Sequence, residues 1–399
     1  MQNKPVFCHV CGGGIHNIDK FSSLIQVTSD CQPWKKDGNL AICQVCGTVQ
    51  KPVTEAWLEE ANAIYGGYEI YSQSGGVEQS TFDQLTGTAQ SRSEKLVEWL
   101  VNKVNLPDKG KLLDIGCGNG AFLRAFSSVY PNYAMTGLEL NSRNRAVVEA
   151  IPGVELLHVG SVETLPHQFH IISLIHALEH IPDPARFLHN LQDKIVPNGV
   201  ILLQVPNLKT SPFDILIADH CSHFTGSTLL GLLKRSSFSI IRLDEDYIPK
   251  ELTAAIGVGN GVKSPLMSKP EQHGENYTQN TDITQSHIDY IQDLLSLGES
   301  VTGSVGIFGT SIGGTWLAQS LNDRISFFVD EDPDRIGRRH LNKPIVSTHL
   351  LKNGDKILVP LPPLIAHRVV QRLSHLDCEF ILPAHKSNEL QVVLNRSEI

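Results

Sequence analysis

Three groups of residues in this sequence have the types and spacing for chemistry. Gly116, Gly118 and Gly120 alternate in KLLDIGCGNG (Lys111 to Gly120), directly after an apolar run. Glycine tolerates positive φ and lets a ligand lie against the backbone at a helix N-terminus, which suits a nucleoside cofactor. Gly116, Gly118 and Ala121 satisfy the looser dinucleotide fingerprint, and Glu139, 23 residues beyond Gly116, can accept both hydroxyls of a ribose. Asp219 and His220 are adjacent. An imidazole with a pKa of about 6.5 beside a carboxylate can remove a proton near neutrality. Cys8 and Cys11 form one C-x-x-C pair and Cys43 and Cys46 another, each followed by glycine. Two such knuckles present four thiolates to one tetrahedral zinc ion in a closed, structural site. Redox chemistry is the alternative, but no thioredoxin-like unit adjoins these pairs.

The elements that must position these groups follow from hydrophobic periodicity. Leu112, Leu113 and Ile115 read as a buried strand and Ala121 to Val129 as a helix, making a strand, tight turn and helix. Further strands are expected at Tyr133 to Leu140, Val154 to Val159, Phe169 to Ile175, Pro197 to Val205 and Phe238 to Leu243. Ser91 to Val104 reads as an amphipathic helix, and Ser227 or Thr228 as the cap of a short one. The alternation predicts a doubly wound α/β domain over 91–250. A zinc module over 1–60 and a connecting segment over 61–90 precede it. Tyr65, Tyr68 and Tyr71 are too many aromatics for a passive tether and are expected over the site. A polar linker over 251–285 leads, through a helix at Ile283 to Leu297, into a second α/β domain over 286–399. There Val305 to Ile307 and Ile325 to Val329 read as strands around a turn with Gly306, Gly309, Gly313 and Gly314. That glycine spacing departs from the dinucleotide fingerprint.

A length of 399 residues suggests two or three domains, and no apolar run approaches the roughly 20 residues of a membrane helix. The N-terminus has no apolar signal region, so a cytoplasmic location and no membrane partner are expected. With 42 acidic against 33 basic residues and a net charge of -9, the surface is unsuited to nucleic acid. A small-molecule substrate fits this balance better.

The fourth strand chooses between the cofactors. Phe169 to Ile175 runs into HALEHIPDPARFLHNL and then PNGVILLQV, and this block resembles the class I methyltransferases. The resemblance implies S-adenosylmethionine bound over the glycine turn. In this reading Asp114 lies near its methionyl end and Glu139 with Leu140 at the ribose. Ser161 and Val162 line the adenine, Ser161 standing where the family usually has an acidic residue. His176 and Ala177 border the cofactor, and Glu179 and His180 the substrate.

Two C-x-x-C knuckles, this core and a third α/β domain marked by VGIFGTSIGG, FFVDEDPDRIGRRHLNKPIVS and KILVPLPP together resemble the sugar C-methyltransferase family. The implied architecture is a class I methyltransferase Rossmann-like core between a small zinc module and a second Rossmann-like domain. The implied reaction is C-methylation of a nucleotide-linked keto-deoxysugar, with His220 as the base, Asp219 orienting it, and Tyr71 and Phe224 near the substrate. Ile217 stands where the family has tyrosine, Asp219 where it has glutamate, and KELTAAIGVGNG lacks its glycine-rich substrate segment. O- or N-methylation of another metabolite, and a non-enzymatic zinc-knuckle binding protein, are the alternatives.

Overall fold

The computed structural model describes residues 6–69, 74–78, 80–82, 89–258 and 274–384. Its largest sheet has seven strands in the order Val154–Val159, Tyr133–Glu139, Gly110–Ile115, Phe169–Ile175, Ile195–Pro206, Glu251–Val258 and Phe238–Asp244. The first five run parallel; Glu251–Val258 is inserted antiparallel between its two neighbours. Neighbouring strand residues serve opposite layers, Leu113 and Leu203 packing into one core and Leu112 and Leu202 into the other. Both faces are therefore covered, which is why these strands read as continuous apolar runs.

The N-terminal sheet has the order Ile15–Asn17, Ala41–Cys43, Val49–Gln50 and Ser222–His223. Its last strand is lent by the chain just beyond His220. The third sheet orders Arg339–His340, Lys343–Ser347, Phe327–Asp330, Val305–Phe308, Lys356–Leu358 and Glu379–Ile381, all parallel except the first pair. Phe21, Leu216, Ile291 and Trp316 share one buried cluster, and Trp316 Nε1 donates to the Ile25 carbonyl at 3.0 Å. The N-terminal segment, the stretch that follows the strand Ile195–Pro206 and the third sheet thus pack on a common core.

Three expectations are corrected. The described parts of 251–285 do not form a linker: Glu251–Val258 completes the central sheet and Gly274–Ser300 is a 27-residue helix, while 259–273 lie outside the described residues. That helix extends through polar sequence because Asn280 and Thr284 are fully buried, the Asn280 amide donating to the Gly47 carbonyl at 2.8 Å. Tertiary contacts there replace an apolar stripe. Residues 61–67 are not connecting loop but the end of the helix Glu55–Gly67. The short helix Gly226–Arg235 is capped by Thr225, with Thr228 returning the second bond of a capping box.

Candidate active site

A cavity of about 1010 Å³ opens above the C-terminal ends of the parallel strands, where open α/β sheets hold their ligands. At one side Gly116, Gly118 and Gly120 adopt φ of 73°, 56° and 80°, and the helix Ala121–Val129 starts at once. A Cβ on Gly120 would lie 2.5 Å from Ile151 Cδ1, so this position needs glycine on two counts. Glu139 ends the adjacent strand and its carboxylate accepts the Gly118 N–H at 2.6 Å and the Leu140 N–H at 3.2 Å. The turn and the acidic strand end are thereby locked together. Asp114 is buried against Ser173 Oγ at 2.7 Å, and burial pushes its pKa up to about 7. Leu140, Ser161, Val162, His176 and Ala177 join these groups at the cavity wall.

The other side of the cavity carries histidines. His176 has φ of 50°, as Cys31 has 60° and Lys250 74°, and all three line the cavity. Left-handed backbone at non-glycine residues carries a conformational cost that concentrates at functional sites. His176 Nδ1 lies 3.2 Å from Glu179 Oε1, and its Nε2 3.5 Å from Glu251 Oε2. Burial pulls its pKa down to about 4 despite Glu251. Glu179 is fully buried, and its Oε2 has no hydrogen-bond partner among the described residues. His180 Nδ1 is 3.0 Å from both the Tyr65 hydroxyl and the Asp219 carbonyl. Its ring meets that of His220 edge-on at 4.5 Å.

Asp219 does not orient His220. Its carboxylate accepts the Ser29 N–H at 2.9 Å and the Ser29 hydroxyl at 2.5 Å, pinning a loop of the N-terminal segment. The partner of His220 is Asp214: Nδ1 to Oδ1 is 2.8 Å, while Asp214 Oδ2 takes His223 Nδ1 at 2.6 Å. Burial opposes a charge on His220, but the Asp214 carboxylate overrides it and holds the pKa up at about 9. Phe224 is buried in the core behind the sheet, Gly120 and Glu179 support the wall without lining it, and Tyr71 lies outside the described residues. Asp214 has no spacing signature, although a lone carboxylate inside the apolar run PFDILI must find a polar partner once buried. Nor have Ser29, Asp30 and Cys31 or, in the loops that follow two strands of the third sheet, Ser311 and Arg335, which reach the cavity from distant segments.

The four cysteines of the two knuckles converge, with Cys8 and Cys46 Sγ 3.8 Å apart and Cys11 and Cys43 Sγ 3.5 Å apart. Four sulfurs about 2.3 Å from one ion would be spaced by about 3.8 Å. The Gly13 N–H points at Cys11 Sγ, and those of Val45 and Cys46 at Cys43 Sγ, each at 3.4 Å. This donor set fits one tetrahedral cation held by thiolates. The donor atoms of Glu179, His180 and His220, and those of Asp214, His220 and His223, also lie within 4.8 Å of one another, but the Nδ1 atoms there already have partners in the chain.

Residues 88–243 match the family model described as "Methyltransferase domain". The ubiquinone biosynthesis O-methyltransferase of Pseudomonas fluorescens (strain Pf0-1) is 29% identical over 119 residues, 28% of this chain and 50% of that protein. The C-methyltransferase NovU of Streptomyces niveus is 25% identical over 166 residues, 39% of each chain. The chain thus spans about half, or less, of the length of the curated relatives it matches. Among solved structures, an S-adenosylmethionine-dependent methyltransferase from Clostridium acetobutylicum ATCC 824 is similar at 12% identity, 51% of this chain, 100% of that one and a TM-score of 0.35. With the strand order, the glycine turn and the matched segment in agreement, residues 88–243 of this chain form a methyltransferase domain.

Proposed function

We propose that this chain methylates a carbon of a nucleotide-linked keto-deoxysugar, with His220 as the base. The observation that carries this reading is one continuous cavity joining Gly116 and Glu139 to His220 and onward to Ser311 and Arg335 of the third sheet. A cofactor and a substrate of nucleotide size can lie end to end in it. Glu139 would hold the ribose, Ser161 and Val162 the adenine, and His176 and Ala177 the far side of the cofactor. S-adenosylmethionine, when bound, supplies the methyl: the acceptor carbon's electron pair forms the new bond as the sulfur–methyl bond breaks and S-adenosylhomocysteine leaves.

The remaining work belongs to the chain. His220 Nδ1 is engaged by Asp214, which leaves Nε2 to take the proton alpha to the ketone. The imidazolium so formed sits against the Asp214 carboxylate in a buried pair and passes its proton to solvent on product release. A base held near pKa 9 matches a weakly acidic C–H better than an unperturbed imidazole does. Cys8, Cys11, Cys43 and Cys46 would hold a structural zinc ion, which contributes folding energy and leaves no open position for substrate.

Two experiments test this. Calorimetry with S-adenosylhomocysteine tests the cofactor site, and no binding returns the chain to the zinc-knuckle binding alternative. Incubating a nucleotide-linked keto-deoxysugar in D₂O is expected to exchange its alpha proton with wild type and not with His220→Ala. NMR of the product then locates the methyl; a methyl on oxygen or nitrogen rejects C-methylation.

A further inference from the structure

We infer that Asp214 and His223 are positioning residues for His220, the Asp214 carboxylate being pinned between two histidine Nδ1 atoms so that His220 keeps its proton on Nδ1 and turns Nε2 to the cavity. This rests on the reading of His220 as the base.

An ionised carboxylate only accepts hydrogen bonds. With Oδ1 at 2.8 Å from His220 Nδ1 and Oδ2 at 2.6 Å from His223 Nδ1, both rings must donate from Nδ1. A neutral His220 then carries its lone pair on Nε2, the tautomer a base facing the cavity requires. The opposite tautomer would set a lone pair against a carboxylate in a site where Asp214, His220 and His223 are all buried.

His223 is needed because the last torsion of an aspartate is broad and roughly two-fold. One hydrogen bond leaves the carboxylate free to swing; the second fixes its plane. Each member is also held by backbone. Asp214 N donates to Ser211 O, Ile217 N to Asp214 O and His220 N to Ile217 O, at 3.1, 3.0 and 3.4 Å, so three successive turns stack Asp214 near His220. His223 is fixed from outside this run, since it pairs with Val49 in the sheet that carries Cys43. Positioning of the base therefore reaches back to the cysteine knuckles through two β pairs.

The other groups around His220 do not substitute for Asp214. Glu179 and Asp219 act on its charge, and Asp219 gives its oxygens to Ser29. His180 presents its ring edge-on. Around His223 lie the buried Lys51 and His220 itself, both of which disfavour a second positive charge there. Burial with these neighbours holds the His223 pKa down, so His223 serves as a neutral donor.

The test is ¹⁵N NMR of the full-length, metal-loaded protein with labelled histidine, which reads tautomer and titration without a substrate. In wild type above its pKa, His220 is expected as the Nδ1–H tautomer; an Nε2–H signal there overturns the inference with no variant needed. Asp214→Asn is expected to move the His220 titration from about 9 to below its ordinary 6.5 and to populate Nε2–H. An unchanged tautomer and titration would reject the role of Asp214. His223→Phe is expected to give His220 mixed tautomers, and His223→Gln, which keeps a donor, to restore one; a wild-type signal in His223→Phe removes His223 from the device. With the keto-sugar, Asp214→Asn is expected to lower kcat by about 100-fold with KM unchanged. Should His220→Ala retain turnover while Asp214→Asn still moves the NMR signal, the base reading fails and the positioning geometry stands.

Discussion

His9 Nε2 lies 2.8 Å from Ser222 Oγ, so the loop between the first two cysteines touches the strand that follows His220. The knuckles and the segment that carries His220 are therefore in direct contact. Structural zinc contributes on the order of 10 kcal/mol to such sites, comparable to the whole stability of many domains. Chelation, or Cys43→Ser, is expected to open residues 6–50 to limited proteolysis and to abolish turnover together. Elemental analysis finding no zinc in protein purified without chelator would sink this prediction.

Glu139 is the group whose loss should isolate cofactor binding. Its carboxylate holds the Gly118 N–H at 2.6 Å, so the side chain shapes the turn, and in the proposed reading it also holds the ribose. A hydrogen bond to a charged group is worth about 1.5–3 kcal/mol, or about 10- to 150-fold in affinity. Glu139→Ala is expected to weaken S-adenosylhomocysteine by about that factor in calorimetry, leaving thermal stability within a few degrees of wild type. Undiminished affinity would place the cofactor elsewhere in the cavity.

The glycine turn, the strands from 110 to 206 and the four cysteines were legible because each is a local pattern: an apolar run, a fixed spacing, a residue type that one conformation demands. That Glu139 and His220 reach one cavity was legible for the same reason. Asp214 was not, because three successive turns bring it to His220 and a β pair with Val49 brings His223 to it, with no fixed period between them. The strand Glu251–Val258 was missed because it enters the sheet antiparallel and out of chain order, a choice made by long-range pairing with residues 200–206. The helix start at Gly274 was missed because the buried Asn280 donates to the Gly47 carbonyl and the buried Thr284 to the Asn280 carbonyl of its own helix, which no periodicity of apolar residues announces.

The pH dependence follows from Asp214. Burial disfavours charge on His220, the carboxylate outweighs it, and the folded pKa stands at about 9, above the ordinary 6.5. The base form is therefore populated only as pH rises through about 9, so kcat/KM for the keto-sugar is expected to climb up to that value. The same shift makes the His220 contribution to stability fully present below pH 6.5 and lost as pH rises through about 9. Stopped assays between pH 6 and 10 check the kinetic limb. A profile already flat by pH 7 would show that His220 is not the titrating group.

Asn280 offers a test of docking without chemistry. It is fully buried on the helix Gly274–Ser300, and its Nδ2 donates to the Gly47 carbonyl, directly after Cys46, at 2.8 Å. A Cβ on Gly47 would lie 2.6 Å from Asn276 Cβ, so helix and knuckle meet without spare room. Asn280→Leu removes the donor and leaves a buried carbonyl unsatisfied, at a cost of about 1–3 kcal/mol. Because the bond spans the second knuckle and the helix that leads into the third sheet, that cost should appear in thermal unfolding and in zinc retention under competing chelator. Neither residue lines the cavity, so S-adenosylhomocysteine affinity at 25 °C is expected to match wild type. Unchanged stability and chelator resistance would mean that the knuckle is held by its own sheet alone.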